Sequence, residues 1–238
     1  MIKPQQYSPK SKKKQIANMF DNIAKSYDFL NHILSFGMDF YWRKEAIEKL
    51  TNKPKMILDV ACGTADFAIA ASKLEEVQIT GIDISKRMLE IGRKKVEQKG
   101  LEKQIKLKLA DSEKLPFESN RFDAITAGFG VRNFENLNTG LFEIKRVLKK
   151  NGMFTILEFS KPKNFIMKQS FSFYSKFILP TFGKIISKDS SAYTYLPESV
   201  AAFPEGDNFE DILKNIGFTN VKTKLLSGGI ASIYYGTK

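Results

Sequence analysis

A short run around position 60 joins an apolar strand to a turn that carries few side chains. It reads LDVACGTAD and places Gly63 and Thr64 directly after the strand, with Asp59 and Asp66 on either side. Gly63 lets the backbone approach a ligand closely, and Thr64 is placed to cap the following helix with its hydroxyl facing a cleft. A phosphate-binding loop would carry Gly-Lys-Ser/Thr here. The two aspartates would repel phosphate, so the turn predicts a ligand without phosphate groups.

Polar side chains also follow the next two strands. The segment QITGIDIS contains Asp83, 20 residues after Gly63, and this spacing is typical of a carboxylate that accepts both hydroxyls of a ribose. The segment LADSEKLPF supplies Asp111, which can accept from an adenine amino group, and Ser112, which can line the ring. Together with the acidic turn, these positions describe a positively charged nucleoside without phosphate. S-adenosylmethionine has that chemistry, and we predict it as the cofactor.

The elements that must position these residues alternate between strands and helices. We predict strands at 56–60, 77–82, 105–109, 122–127 and 153–159, and helices at 12–30, 39–50, 64–73, 85–99, 136–148 and 208–216. Repeated strand-helix-strand units imply right-handed crossovers and a parallel sheet covered on both faces. Two closing strands around Gly228 and Gly229 predict a hairpin. The predicted fold is therefore α/β and doubly wound, with a mostly parallel seven-stranded sheet and a terminal antiparallel hairpin.

This pattern predicts one domain over residues 1–238. Within it we expect an N-terminal helical lid at 1–50, in which Asp39 caps the second helix, and a cofactor-binding core at 51–159. A helical insertion on the substrate side, rich in Phe and Tyr, follows at 160–205. The C-terminal helix and the hairpin occupy 206–238.

Composition excludes several function classes. The chain has 238 residues, one cysteine (Cys62, expected to be a small packing residue) and one histidine (His32), which removes internal disulfides, Cys-rich zinc modules and Ser-His-Asp triads. It shows no secretory signal and no window of 18 apolar residues, so we expect a cytoplasmic protein. The net charge of +12 is compatible with nucleic acid, an anionic membrane or simple lysine richness. The Lys12–Lys14 run predicts a solvated helix start.

Longer motifs extend the interpretation beyond the turn. The chain carries MFDNIAKSYDFLN near its start, FGVRNF after the fourth strand, LEFSKP after the fifth and YTYLPESVAAFP in the insertion. With these motifs it resembles the class I S-adenosylmethionine-dependent methyltransferases and, more narrowly, the C-methyltransferases of menaquinone and ubiquinone biosynthesis. The resemblance covers nearly the whole chain. Two positions depart from it: Ala65 stands where many members have glycine, and Gly128 where many have serine.

The resemblance implies residue roles and a reaction. The predicted cofactor-binding residues are Thr64, Asp83, Asp111 and Ser112, with Gly63 and Asp59 in the same turn. The implied reaction moves a methyl group to a ring carbon of a polyprenyl quinol after a ring hydroxyl loses its proton.

Catalytic candidates follow from that reaction. Arg132, beside Asn133, is the candidate for holding the resulting ring anion, because a fixed cation lowers the effective pKa of the hydroxyl. The alternative for Arg132 is a structural pair with a helix carboxylate. The proton acceptor stays open between Tyr27, His32 and a water oriented by Arg132.

Several substrates and partners remain open at this stage. Conversion of demethylmenaquinol to menaquinol is the leading reaction, with a benzoquinol as the alternative and an RNA or small-molecule methyltransferase as a more remote one. FGVRNF carries a single positive charge, which argues against nucleic acid. A nicotinamide enzyme would need Gly-x-Gly-x-x-Gly, but Ala61 and Asp66 occupy the wrong places.

The insertion predicts peripheral contact with an anionic membrane, at its inner face, or alternatively a packed helix or a homodimer interface. The residues concerned are Phe171, Tyr174, Phe177, Ile178 and Phe182, with Lys168, Lys176 and Lys184.

Overall fold

Two helices precede the sheet. The computed structural model describes residues 2–162, 169 and 191–238. Helix α1 spans Lys12–Leu34 and is capped by Ser11, whose side chain accepts from the Lys14 backbone N–H. Helix α2 spans Met38–Ile47. The lid segment of the sequence prediction is thus a pair of helices.

Seven strands form one sheet in the order β3-β2-β1-β4-β5-β7-β6. Strands β1 to β5 pair in parallel, whereas β7 runs antiparallel to both β5 and β6. The bounds are β1 Met56–Val60, β2 Gln78–Asp83, β3 Ile105–Leu109, β4 Phe122–Gly128, β5 Leu148–Phe159, β6 Thr219–Leu226 and β7 Ala231–Thr237. The predicted doubly wound sheet with a terminal hairpin is confirmed.

Helices cover both faces of this sheet. Their bounds are α3 Asp66–Ala71, α4 Lys86–Gln98, α5 Leu137–Val147, α6 Ser191–Ala202 and α7 Asp207–Ile216, with a 3₁₀ turn at Val131–Asn133. One core layer packs α5 and α7 on the sheet through Leu141 and Phe209. The other layer packs α2 and α3 through Trp42 and Phe67. A third apolar cluster joins α1 to α4 and α6 and places α1 beside the carboxyl ends of the strands.

The ends of several elements differ from the sequence prediction. Helix α3 begins at Asp66 rather than at 64, because Ala65 has φ 71° and interrupts the helical backbone. Gly37, not Asp39, precedes α2 as its cap. Strand β5 begins at Leu148 rather than at 153, because Leu148 is fully buried and already pairs with Phe122.

The glycine at position 128 has a packing reason. A Cβ added there would lie 2.8 Å from Cδ1 of Phe67, which is closer than packed carbon atoms approach. The serine that many family members carry would therefore require Phe67 to move.

The aromatic residues predicted to contact a membrane, 171–182, and their neighbouring lysines lie outside the described residues. In the described part of the chain, no helix combines the length and the apolar character needed to cross a bilayer.

Candidate active site

A cleft that is partly open to solvent lies beyond the ends of β1, β2 and β3. Helix α1 forms its roof through Lys13, Ile16 and Phe20. The other lining residues come from the strand ends and from the segment after β4: Ala61, Asp83, Ile84, Asp111, Ser112, Glu113, Gly130, Asn133, Phe134 and Glu135. The structure thus brings together three predicted cofactor residues, Asp83, Asp111 and Ser112, with Asn133.

Asp83 links the first turn to the second strand. Its Oδ2 accepts from the Gly63 backbone N–H at 2.9 Å, and its Oδ1 accepts from the Ser85 N–H at 2.8 Å. Burial raises the pKa of this carboxyl, although those backbone N–H groups oppose the shift. Backbone N–H groups of Gly63, Ile84 and Ser85 use three of the roughly four acceptor sites of the carboxylate, so the group is still able to accept a ribose hydroxyl.

Lys13 occupies the cleft beside the predicted adenine residue. Its Nζ lies 2.5 Å from Oδ2 of Asp111 and 3.6 Å from Oε2 of Glu113. Partial burial opposes the charge, yet the bond to Asp111 and the field of Glu113 raise the pKa of Lys13 above its usual value. The acidic cleft therefore carries one internal cation from the lid.

Lys12 is buried as well. Its Nζ donates to the carbonyl oxygens of Phe134, at 2.7 Å, and Arg132, at 3.2 Å, and burial lowers its pKa. The prediction that Lys12–Lys14 is a solvated helix start is wrong for Lys12 and Lys13, because both bind groups beside the cleft. Only Lys14 is exposed.

Three of the predicted cofactor residues do not line the cleft: Thr64, Asp59 and Gly63. The Thr64 hydroxyl donates to Oδ1 of Asp28 at 2.5 Å, and Ala65 holds the capping position instead. Asp59 is fully buried, and its Oδ1 accepts from Thr126 at 2.8 Å. Gly63 touches the site only through its bond to Asp83, so a cofactor contact by Thr64, Gly63 or Asp59 stays a prediction.

Burial dominates the titration of Asp59. It raises the pKa of this carboxyl to about 7, against the opposing bond from Thr126. Its Oδ2 has no hydrogen-bond partner among the described residues.

Cys62, two residues after Val60, is also buried, and burial raises the pKa of its thiol well above the usual value. The packing role expected of Cys62 agrees with this burial.

Six charged or titratable side chains join the lid to the core beside Thr64. Lys95 binds Asp28 at 2.8 Å and also Asp66, while Arg43 binds Asp39. His32 completes the group: its Nδ1 lies 2.8 Å from Oδ2 of Asp39. Asp66 is therefore already paired, and Asp39 serves this network rather than capping α2.

Arg132 is held by a buried acid. Its Nη1 lies 2.7 Å from Oε2 of Glu158, and its backbone N–H donates to Oε1 of the same residue at 3.2 Å. Nη1 also donates to the Phe129 carbonyl, and the guanidinium lies 5.5 Å from the ring centre of Phe159. Its Nε has no partner among the described residues. Arg132 is thus paired with a carboxylate, as its structural alternative predicted, but the carboxylate comes from strand β5 and not from a helix. The guanidinium is fixed in place and its charge is balanced by Glu158.

Asn133 is positioned from α6. The Tyr195 hydroxyl donates to Oδ1 of Asn133 at 3.1 Å, and burial raises the pKa of Tyr195 to about 12.

Burial also raises the pKa of Tyr27, while the charge of Arg132 opposes that shift. Tyr27 therefore stays protonated near neutral pH, which disfavours it as the proton acceptor.

Sequence reasoning missed the partners of the predicted residues. Glu158 lies in the apolar strand segment TILEF, and a carboxylate inside a buried strand requires a cation, so this signal was available. Lys13 and Tyr195 gave no comparable signal, because their roles depend on how α1 and α6 pack.

The cleft fits the predicted cofactor by its donor and acceptor set. Its charged lining residues are four carboxylates and one lysine, which suits a cationic nucleoside and disfavours a phosphate-rich one.

Residues 8–238 match the model of the ubiE/COQ5 methyltransferase family. The chain belongs to this family. The predicted methyltransferase activity with S-adenosylmethionine as cofactor is thereby confirmed at the level of the family.

Known members of the family span the same length. A Bacteroides fragilis protein named demethylmenaquinone methyltransferase is 49% identical and covers 100% of this chain and 97% of its own. A Geotalea daltonii protein named ubiquinone/menaquinone biosynthesis C-methyltransferase UbiE is 45% identical, over 95% of this chain and 97% of its own. A solved S-adenosylmethionine-dependent methyltransferase from Thermotoga maritima shares the fold, with a TM-score of 0.65, 20% identity and coverage of 93% and 99%.

Proposed function

We propose that this family member methylates a ring carbon of demethylmenaquinol to give menaquinol. The observation that carries the proposal is the full-length identity of 49% to a relative named for that reaction. S-adenosylmethionine supplies the methyl group, bound as a sulfonium. Asp83, Asp111 and Ser112 are the residues that would hold its nucleoside.

The chain's own residues would handle the quinol. The guanidinium of Arg132, held in place by Glu158, would stabilise the negative charge that develops on the ring. Because Glu158 balances its charge, the pair adds no net charge to the site. Asn133 accepts from Tyr195 with its carbonyl oxygen and donates to the Phe129 carbonyl at 3.5 Å, which leaves one amide hydrogen for a quinol oxygen. Tyr27 is protonated, and His32 lies between Asp39 and Asp66 and does not line the cleft, so a water oriented by Arg132 is our assignment for the proton acceptor.

A benzoquinol substrate is the second candidate, because the Geotalea daltonii relative is named for both pathways. The test is methyl transfer by the purified protein to the two demethylated quinols, matched in tail length. We expect faster transfer to the naphthoquinol. Equal or faster transfer to the benzoquinol would contradict the assignment, and mass spectrometry of quinones from a strain lacking the protein supplies an independent check.

Peripheral contact with an anionic membrane is part of this proposal, because a polyprenyl quinol is dissolved in the bilayer. A homodimer is a separate prediction, which sedimentation velocity of the full chain tests directly. A single species at the monomer mass, 27.1 kDa, would contradict the dimer.

A further inference from the structure

The corner where α1 turns into α2 exposes a cluster of apolar side chains. Among the described residues, nine large apolar side chains are exposed, and five of them lie between positions 29 and 41. Phe29 and Ile33 are one turn apart and share a face of α1. The ring of Phe40 stacks on His32 with centroids 4.4 Å apart, which joins the two helices. We call this set the aromatic corner: Phe29, Ile33, Phe36, Phe40 and Tyr41.

Helix α2 also buries charge on its inner side. Asp39 and Arg43 are buried, and they bind each other within the network described above. An ordinary amphipathic helix buries its apolar side chains and exposes its charges. Helix α2 departs from this pattern only in part: it buries Trp42 in the core, but it also buries this ion pair and exposes the rings of Phe40 and Tyr41. Burying charges and exposing rings are both unfavourable in water. Contact of the exposed rings with an apolar environment outside the protein would remove the cost of keeping them in water.

Backbone strain marks the tip of the corner. Phe36 has φ 52°, in the left-handed region that bulky residues avoid, and its side chain is 79% exposed. The turn is held by hydrogen bonds from the Phe36 N–H to the Ile33 carbonyl, 3.0 Å, and from the Gly37 N–H to the His32 carbonyl, 2.8 Å. A strained backbone that keeps an aromatic ring in water points to a functional use of that ring.

We propose that the aromatic corner inserts into the surface of an anionic bilayer, an inference that rests on the lipid-soluble substrate of the proposed function. With about 200 Å² for each aromatic side chain, the exposed parts amount to roughly 500 Å². Stable protein dimers bury roughly 800 Å² per partner, whereas insertion into a bilayer needs no matching surface.

Two lysines fit the headgroup region. Lys25 precedes Phe29 by one helical turn, Lys44 follows Phe40 by one turn, and both are exposed. The net charge of +12 adds attraction for an anionic surface.

The position of the corner suits delivery of a membrane-bound quinol. The N-terminal half of α1 lines the cleft, and Tyr27, further along, lies within the field of Arg132. Helix α1 ends at Leu34, roughly 10 Å along the helix from Tyr27, and Phe36 follows in the turn to α2. A quinol ring beside Arg132 could therefore keep its prenyl tail in the bilayer.

The experiment is co-sedimentation of the full chain with vesicles of phosphatidylcholine alone or mixed equally with phosphatidylglycerol. The test variant is Phe29→Ser with Phe36→Ser. Its matched control is Phe142→Ser with Leu225→Ser, which removes two exposed apolar side chains elsewhere. We expect the test variant to bind at least about tenfold more weakly and the control to bind like the wild type. Lys25→Gln with Lys44→Gln should weaken only binding to the anionic vesicles, by about fivefold per lysine.

Three outcomes would overturn the proposal. The first is a wild-type protein that stays in the supernatant at low salt, and the second is a test variant that binds like its control. The third is a dimer, formed without vesicles, that the test variant loses, since this would assign the corner to a second copy. Transfer to a short-tailed quinol analogue without vesicles should be unchanged in the test variant. Absence of that transfer in the wild type would count against the proposed function and not against the corner.

Discussion

At the scale of single residues, Lys13 places one positive charge in a cleft whose other charged lining residues are carboxylates. It pairs with Asp111, the residue that we expect to meet the adenine ring. Its charge lies in the same cleft as a sulfonium cofactor and opposes the binding of that cation. Lys13 therefore attaches α1 to the acidic residues at the strand ends. Its positive charge also lowers the affinity of the cleft for a positively charged ligand.

Replacement of Lys13 by methionine should shift this balance. We expect Lys13→Met to favour S-adenosylmethionine over the uncharged S-adenosylhomocysteine by roughly two- to fivefold more than the wild type does, since one repulsive charge is gone. Calorimetric Kd values for both ligands measure the ratio, and the effect should shrink at high salt. Lys14→Met is the control, because Lys14 is exposed outside the cleft. An identical ratio in both variants would contradict this role for Lys13.

The pair of Arg132 and Glu158 allows its chemical role to be separated from its structural one. Arg132→Ala would leave the fully buried carboxyl group of Glu158 without its cation, at a cost of about 3–5 kcal/mol in stability. The double variant Arg132→Met, Glu158→Met removes both charges and should recover most of that loss. We expect turnover to stay at least about 100-fold down in the double variant, with cofactor Kd little changed. Thermal unfolding and methyl-transfer rates give the two readouts.

Recovery of turnover together with stability would contradict the catalytic assignment of Arg132. Arg132→Lys supplies a further comparison, because it keeps the charge but loses the fork that binds Glu158 and the Phe129 carbonyl.

At the scale of elements, the turn after β1 and the segment after β4 meet at two small residues. A Cβ on Gly130 would lie 2.5 Å from the Cβ of Ala61, and both residues line the cleft. Ala61 also has φ 54°, where glycine is favoured. The close approach of these two elements is therefore limited by one methyl group.

A double-mutant cycle tests this contact. We expect Gly130→Ala to lower the free energy of unfolding by about 1–3 kcal/mol through overpacking and to weaken cofactor binding. Ala61→Gly should restore most of both losses in the Gly130→Ala background, because it removes the atom that clashes. Urea unfolding and cofactor Kd for the four proteins measure the coupling. Strictly additive effects would contradict the contact.

At the scale of the whole molecule, the alternation of strands and helices was sufficient to predict the sheet and its hairpin, because burial on both faces leaves few other arrangements. The strand-end acids Asp83 and Asp111 followed from the same periodicity. The lid was less accessible to sequence reasoning. Its helices have the expected apolar spacing, but the burial of Lys12 depends on carbonyl groups more than 100 residues away. Contacts across such separations leave no local pattern.

The buried Asp59 should couple the stability of the whole molecule to pH. Its folded pKa of about 7 lies above the ordinary value of an aspartate, so the folded state holds a proton that the unfolded state releases. Stability from this group is therefore present at low pH, falls between about pH 4 and pH 7, and is level above that range. Three pH units correspond to a loss on the order of 4 kcal/mol.

Asp59→Asn removes this titration while keeping an oxygen for Thr126. The free energy of unfolding of the variant should therefore rise relative to the wild type as pH increases from 4 to 7 and stay constant above. Urea unfolding across this pH range measures the difference, in which the other titrating groups cancel. Asp211→Asn, which removes an exposed carboxylate on α7, controls for the change in net charge. A difference that does not vary with pH would show that Asp59 is ionised in the folded state, supported there by groups other than Thr126.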